Sequence, residues 1–221
     1  MHRLKKLLKV LKWQRRIRAA VSTQLALLEN PSLFALGGLT DEEGFRVIEL
    51  LHDAAGFSGP IVEFGTLFGL TTRLIAENGN GQPVITVDNF CWNPFGLTPA
   101  LHESFTRRVL VGELASKRVS LYMGDSASFR ATYTGEVPAL VFLDADHSYE
   151  AVRDEIAWAK GLGVPLISGH DYKNLRFGVT RAVDEAFPDG VQVRGSVWSS
   201  RQGEGDPNRT SFPAVSCLPV S

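Results

Sequence analysis

The sequence PIVEFGTLFGLTTRLIAEN, residues 60–78, decides the fold of this chain. An apolar run carries Glu63 near its end, passes through Gly65 and Gly69, and continues into a second apolar segment that stops at Asn78. This pattern predicts a strand, a glycine-bearing turn and a helix. Open α/β sheets bind ligands beyond the carboxyl ends of their strands, and glycine lets a ligand approach the backbone closely. The stretch therefore predicts a ligand-binding crevice, although glycines at a strand end also serve simply as turn residues.

Further apolar runs predict further strands, and polar residues stand at the end of each one. The runs are residues 84–87, 119–123, 139–143 and 164–168, and the polar residues after them are Asp88, Asn89, Asp125, Ser126, Asp144, Asp146, His147, His170 and Asp171. The carboxyl ends of parallel strands meet at one edge of a sheet, so we expect these side chains to lie near one another. Asp88 suits a ribose, because a carboxylate accepts two hydroxyl hydrogen bonds, although turn and N-cap aspartates are also common after strands.

The most informative part of this polar set is DADHSYE, residues 144–150. It follows an uninterrupted apolar run, which is typical of a central parallel strand that is covered on both faces. Two carboxylates and an imidazole then fall within four residues, and Ser148 is placed to cap the next helix. Purely structural roles for these groups stay open, but polar clusters at this edge of α/β sheets usually serve ligands.

Local signals also predict the elements around these strands. The sequence TDEE at residues 40–43 has the form of a capping box and predicts the start of a helix. The periodicity of residues 100–116 predicts one helix, and residues 179–187 predict another. Residues 191–199 predict a closing hairpin.

Length, charge and cysteine content limit the class of protein. The chain has 221 residues and is predicted to form one domain over residues 31–221, preceded by a basic amphipathic helix over residues 1–30. Residues 1–18 hold eight Lys or Arg and no acid, whereas the rest holds 15 basic and 24 acidic residues. A net charge of -1 argues against a nucleic-acid partner. Two cysteines and no apolar run of about 18 residues predict a cytoplasmic protein without a membrane span.

The basic helix has two open interpretations. Its leucines recur at helical spacing and would pack on the domain or on a second subunit, which predicts a homodimer. Its lysines would alternatively attract it to an anionic membrane surface, which predicts peripheral membrane contact.

The ordered segments VEFGTLFGLTT, VITVDN, YMGDS, LVFLDADHSYEAVRDEI, ISGHDY and GVTRAVDEAF resemble the class I S-adenosylmethionine-dependent methyltransferases, over about residues 40–200. The resemblance is closest to small bacterial O-methyltransferases that act on sugars and other secondary metabolites. It implies a Rossmann-like, doubly wound α/β fold whose seven-stranded, mostly parallel sheet carries an antiparallel C-terminal strand. It also implies S-adenosylmethionine as cofactor and a small-molecule hydroxyl as acceptor. The residues that it places at the cofactor are Glu63, Gly65, Thr66, Gly69, Thr71, Asp88, Asn89, Asp125, Ser126 and Asp144.

The same resemblance implies a site for a divalent cation, Mg²⁺ or Mn²⁺, at Asp144, His170 and Asp171. Magnesium prefers oxygen ligands, and the metal-dependent relatives place an acid or an amide where this chain has His170. An imidazole favours a transition metal such as manganese, iron or zinc, or indicates that no metal is bound. The predicted catalytic residues are His147, Asp144 and His170. A cation would lower the pKa of the acceptor hydroxyl, and without one His147 or His170 would act as general base, with His147 preferred.

Other classes of protein stay open at this point. One is a hydroxylase-like metal enzyme on the same scaffold, and another is a non-catalytic cofactor-binding protein that the basic helix holds at a membrane or partner. A nicotinamide-dependent enzyme is disfavoured, because the spacing E-x-G-x-x-x-G of residues 63–69 is not the dinucleotide fingerprint G-x-G-x-x-G. The sequence does not identify the acceptor.

Overall fold

The computed structural model describes residues 38–92 and 97–202. The predicted helix of residues 1–30 lies outside the described residues, and the homodimer and membrane contact inferred from it stay predictions. Within the described ranges, no helix has both the length and the apolar character that crossing a bilayer requires.

The described strands form one seven-stranded sheet with the order β3-β2-β1-β4-β5-β7-β6. The strands are β1 Ile61–Phe64, β2 Val84–Asp88, β3 Val119–Met123, β4 Leu140–Leu143, β5 Leu166–Gly169, β6 Gln192–Arg194 and β7 Val197–Arg201. Strands β1 to β5 are parallel, and β7 runs antiparallel to both β5 and β6. The predicted Rossmann-like, doubly wound sheet with an antiparallel C-terminal strand is confirmed.

The register of the sheet brings the polar strand ends to one edge. Phe64 is paired with Val87 on one side and with Leu143 on the other, so β1, β2 and β4 end at the same level. The strand order reverses at β1, with β2 on one side and β4 on the other, which makes this the switch point where open α/β sheets bind ligands.

Helices cover both faces of the sheet. They are α1 Asp41–Ala54, α2 Leu70–Asn78, α3 Pro99–Val109, α4 Val111–Ala115, α5 Ser126–Thr132, α6 Tyr149–Gly161 and α7 Val179–Ala186. One core cluster includes Leu50, Ile75 and Leu140, and a second includes Val141, Ile156 and Trp198. All residues of β1 and β4 are buried, as expected of central parallel strands.

Two predicted helix starts are confirmed by their caps. Thr40 and Glu43 form the predicted capping box at the start of α1, and the Ser148 side chain caps α6. The single helix predicted over residues 100–116 is wrong, because α3 ends at Val109 and α4 begins at Val111 after the single residue Leu110. Leu110 is fully buried, like the apolar face of a continuous helix. Hydrophobic periodicity alone therefore does not reveal such a one-residue break. Helix α5 was not predicted, since Asp125 resembled an ordinary turn residue and is instead its N-cap.

Candidate active site

The turn after β1 forms a cradle that excludes side chains. Gly65 has φ +95°, and a Cβ there would lie 2.0 Å from the carbonyl oxygen of Asp144. Gly69 has φ +82°, and a Cβ there would lie 2.9 Å from Leu110 Cγ. Only glycine fits such backbone at low cost, so the turn lies directly against the end of β4. This close packing fixes the position of the turn, which we call the cradle, against the end of β4.

Asp88, at the end of β2, anchors this turn. Its Oδ2 accepts hydrogen bonds from the backbone N–H groups of Thr66 and Leu67, each at 2.8 Å. Its Oδ1 accepts one from the backbone N–H of Phe90 at 2.6 Å. A carboxylate has about four acceptor positions, so about one is left for a ligand hydroxyl. The predicted bidentate contact with a ribose would require one of these amides to release the carboxylate.

Glu63, in β1, is held by threonines of α2 and β2. The side chain is fully buried, and its Oε2 accepts hydrogen bonds from Thr72 Oγ1 at 2.5 Å and Thr86 Oγ1 at 2.6 Å. Burial, with a smaller contribution from the nearby carboxylates of Asp144 and Asp88, raises the pKa of Glu63 to about 8 against the two threonine hydrogen bonds. Glu63 is therefore protonated at neutral pH. Its predicted direct contact with a cofactor stays a prediction, and the two threonines are partners that sequence reasoning missed.

The other predicted cofactor residues stand at the start of α2 and just after the ends of β2 and β3. Thr71 is buried in the first turn of α2. The Asp125 carboxylate accepts a hydrogen bond from Ser128 N at 2.7 Å and caps α5, and Asn89 Oδ1 accepts one from Cys91 N at 2.9 Å. Ser126 begins α5 and is partly buried. These observed contacts are local, and the adenine contacts predicted for Asp125 and Ser126 stay predictions.

The ends of β4 and β5 bring together two carboxylates and two imidazoles, which we call the His–Asp cluster: Asp144, His147, His170 and Asp171. His147 Nε2 lies 3.5 Å from Asp144 Oδ1 and 3.2 Å from Asp171 Oδ2. His170 Nδ1 lies 3.5 Å and 3.6 Å from the same two oxygens. The four residues that were predicted to share this edge therefore do so, with each imidazole between the same two carboxylates.

The His–Asp cluster changes the pKa of its members. Burial on its own would lower the pKa of both imidazoles, but the carboxylates outweigh it. Asp144 and Asp171 raise the pKa of His147 above its ordinary value. Asp144, Asp171 and Glu43 raise the pKa of His170 to about 9. Burial would likewise raise the pKa of Asp144, but His147 and His170 lower it below its usual range. The cluster is thus a set of mutually stabilised charges.

The cluster also fits a divalent cation. Ligand atoms of Asp144, His147 and Asp171 all lie within 4.8 Å of one another. The predicted set contained His170 in place of His147, and His170 Nδ1 does face the same two carboxylate oxygens. Two carboxylates with an imidazole suit a transition metal better than magnesium. His147 follows Asp144 by three residues, which is the sequence signal that could have marked it as a ligand.

Comparison with known proteins supports the fold. No protein-family model matches the chain, and no curated protein matches it. Among solved structures, apo CalS11, a TDP-rhamnose 3'-O-methyltransferase of calicheamicin biosynthesis, has a TM-score of 0.61 at 17% identity, covering 81% of this chain and 86% of that one. An O-methyltransferase from Bacillus cereus, in complex with SAH, has a TM-score of 0.58 at 17% identity, covering 82% and 91%. TomG from Streptomyces achromogenes, in complex with SAM, has a TM-score of 0.54 at 13% identity, covering 79% and 87%.

At such low identity the likeness shows the fold alone. The chain has the fold of these O-methyltransferases, and the chemistry of its site depends on its own residues.

Proposed function

We propose that this chain is an S-adenosylmethionine-dependent methyltransferase that transfers a methyl group to a hydroxyl of a small molecule. One observation carries the proposal. The turn after β1 touches the end of β4 so closely that a Cβ on Gly65 would overlap the Asp144 carbonyl oxygen. A ligand in that cradle would therefore lie beside the His–Asp cluster, and solved structures with this fold include SAM- and SAH-bound O-methyltransferases.

Methyl transfer to oxygen is an in-line displacement in which the carbon–sulfur bond breaks, a carbon–oxygen bond forms and the acceptor loses its proton. When bound, the sulfonium cofactor supplies the activated methyl group. This chain has to orient the acceptor and hold its proton. His147 is suited to holding this proton, because its side chain is 26% exposed and lies at the edge of the cluster. Asp144 and Asp171 hold its imidazole in place and, against burial, raise its pKa, so the form that acts as general base is the neutral imidazole, whose fraction grows as the pH rises.

The cluster supports a metal-assisted version of the same reaction. A divalent cation held by Asp144, His147 and Asp171 would lower the pKa of the acceptor hydroxyl. His147 would then be a ligand, whereas in the metal-free version it is the general base. The two versions differ in their response to a chelator.

Calorimetry with S-adenosylmethionine and its demethylated product, with and without Mn²⁺ or Mg²⁺, tests the proposal directly. We expect both nucleosides to bind and NAD to give no heat. Absence of binding by either nucleoside would overturn the proposal. Binding without methyl transfer to any hydroxyl compound in a panel that includes nucleotide sugars would favour the non-catalytic alternative.

Site variants test the roles of the residues. We expect His147→Ala and Asp144→Ala each to lower the rate of methyl transfer at least a hundredfold, on the scale of a lost general base. His52→Ala is the matched control, because His52 is exposed on α1. Full activity of both site variants would show that the His–Asp cluster takes no part in methyl transfer. Wild-type activity that a chelator does not change would contradict the metal-assisted version.

A further inference from the structure

Glu43 stands out as a buried acid that the proposed mechanism does not use. The sequence marks it only as the last member of a capping box, which is a local device for starting a helix. A carboxylate with that role alone is usually exposed. The Glu43 residue is instead only 6% exposed, and its Oε2 lies 3.4 Å from His170 Nε2. Helix α1 thus reaches the His–Asp cluster through this side chain.

Four donors hold the Glu43 carboxylate in place. Oε2 accepts hydrogen bonds from Thr40 N at 2.8 Å and Thr40 Oγ1 at 2.9 Å. Oε1 accepts them from Ser196 N at 2.8 Å and Ser196 Oγ at 2.6 Å. Burial acts to raise the pKa of Glu43, but these hydrogen bonds outweigh it and lower the pKa to about 2. Glu43 therefore presents a fixed negative charge to His170.

The turn between β6 and β7 is shaped around the same side chain. Gly195 has φ +60°, and a Cβ there would lie 2.7 Å from Glu43 Cγ. A side chain at this position would push the turn away from Glu43. The contact between Glu43 and Ser196 joins residues that are 153 positions apart, which a helix cap by itself does not require.

The imidazole of His170 has carboxylates at both nitrogens. Nδ1 faces Asp144 Oδ1 and Asp171 Oδ2, and Nε2 faces Glu43. The Nε2 atom is buried and makes no well-formed hydrogen bond to any described residue, so its 3.4 Å contact with Glu43 is an electrostatic one. A carboxylate on the far nitrogen of a site histidine fixes the orientation of the ring, as in metal and catalytic sites generally.

We infer that Glu43 is a positioning residue that acts through His170. It orients the His170 ring between Asp144 and Asp171, and it links α1 and the β6–β7 turn to the His–Asp cluster. The expected effect of Glu43 on catalysis rests on the proposed function, whereas its expected effect on the orientation of the His170 ring does not.

The test compares Glu43→Gln with a control variant on the same helix. The first variant removes the charge that faces His170. The matched control is Glu42→Gln rather than Thr40→Ala, because Glu42 is an exposed acid in the same first turn of α1, whereas Thr40 itself holds the Glu43 oxygen that faces the ring. The primary measurement is the pair of ring nitrogen shifts of His170 in two-bond ¹H–¹⁵N NMR spectra of the unliganded protein at a single pH, assigned with His170→Gln. We expect these shifts to change in Glu43→Gln and to match wild type in Glu42→Gln, because Glu42 is exposed on α1.

The kinetic measurement separates positioning from binding. We expect Glu43→Gln to lower kcat about tenfold to a hundredfold, the range for lost outer carboxylates of site histidines, with little change in KM for S-adenosylmethionine. Glu42→Gln should keep the wild-type kcat. If wild type transfers no methyl group, the proposed function fails, but the NMR comparison still decides the inference.

Unchanged His170 shifts in Glu43→Gln would overturn the inference and leave Glu43 as a cap. Should that variant not fold, Glu43→Asp takes its place, because a shorter side chain keeps the charge but withdraws it from the ring. His170 shifts equal to those of wild type in a folded Glu43→Asp would likewise count against the inference.

Discussion

Single side chains at the edge of the sheet carry charges that differ from those expected in water. Burial raises the pKa of Glu63 to about 8, so this acid is neutral at pH 7. The carboxylates around His170 raise its pKa to about 9 in spite of burial, so this imidazole is positively charged at pH 7. The same edge therefore holds an uncharged acid and a cation. Burial and neighbouring carboxylates favour the neutral form of Glu63, whereas the carboxylates around His170 favour its charged form.

The neutral state of Glu63 predicts a dependence of stability on pH. In the unfolded chain the carboxyl ionises near 4.5, and in the folded chain near 8, so its ionisation destabilises the fold progressively between these values. The cost at pH 7 is on the order of 3 kcal/mol. We expect Glu63→Gln to remove this term, so that its free energy of unfolding in urea falls less than that of wild type between pH 5 and pH 8.

Glu77→Gln is the control for this experiment, because Glu77 is exposed and pairs with Arg73 on the surface of α2. Its stability should follow the wild-type pH curve. If Glu63→Gln gives a curve parallel to that of wild type, Glu63 is not a neutral buried acid.

At the scale of elements, the site depends on how closely the turn after β1 meets the end of β4. Phe64 and Leu143 are paired in the sheet, so the turn that follows Phe64 lies directly over the chain that leaves β4. Gly65 leaves no room for a Cβ between them, and the Asp88 carboxylate holds the other side of the turn. The relative position of cradle and cluster is thus set by backbone contact between neighbouring parallel strands.

Two glycine substitutions separate this contact from simple backbone strain. Gly65 and Gly81 both have positive φ, at +95° and +82°, but a Cβ on Gly81 would meet nothing within 4 Å. We expect Gly81→Ala to cost about 1 kcal/mol, the strain of left-handed backbone alone. Gly65→Ala should cost about 3 kcal/mol or more, because it also overlaps the Asp144 carbonyl. Equal costs in urea unfolding would show that the turn does not pack on β4 as described.

For the molecule as a whole, ligand binding and folding stability are linked. One edge of the sheet holds the cradle, the His–Asp cluster, the start of α1 and the β6–β7 turn. A ligand that binds only the folded chain at this edge would therefore stabilise the folded state. S-adenosylhomocysteine at a hundredfold excess over its Kd should raise the free energy of unfolding by about 2.7 kcal/mol. Thermal unfolding with and without the nucleoside measures this shift, and NAD at the same concentration should give none. A shift with NAD alone would indicate a dinucleotide enzyme instead.

The sequence by itself determined the elements and the edge at which the site lies. The strand, turn and helix of residues 60–78 follow from local periodicity and from two glycines whose conformations few other residues adopt. Asp144, His147, His170 and Asp171 could be placed together because parallel strands carry their carboxyl ends to one edge. Such inferences need only neighbouring residues and one topological rule.

The tertiary structure alone decided which groups touch. Three contacts join segments that are distant in sequence: that of Glu43 with His170, that of Thr86 with Glu63, and that of the Thr66 and Leu67 amides with Asp88. Burial and nearby charges then set the pKa of each group, and neither is encoded in a local pattern. A periodic pattern reports which face of an element is apolar, whereas the partner of a polar atom depends on how separate elements pack.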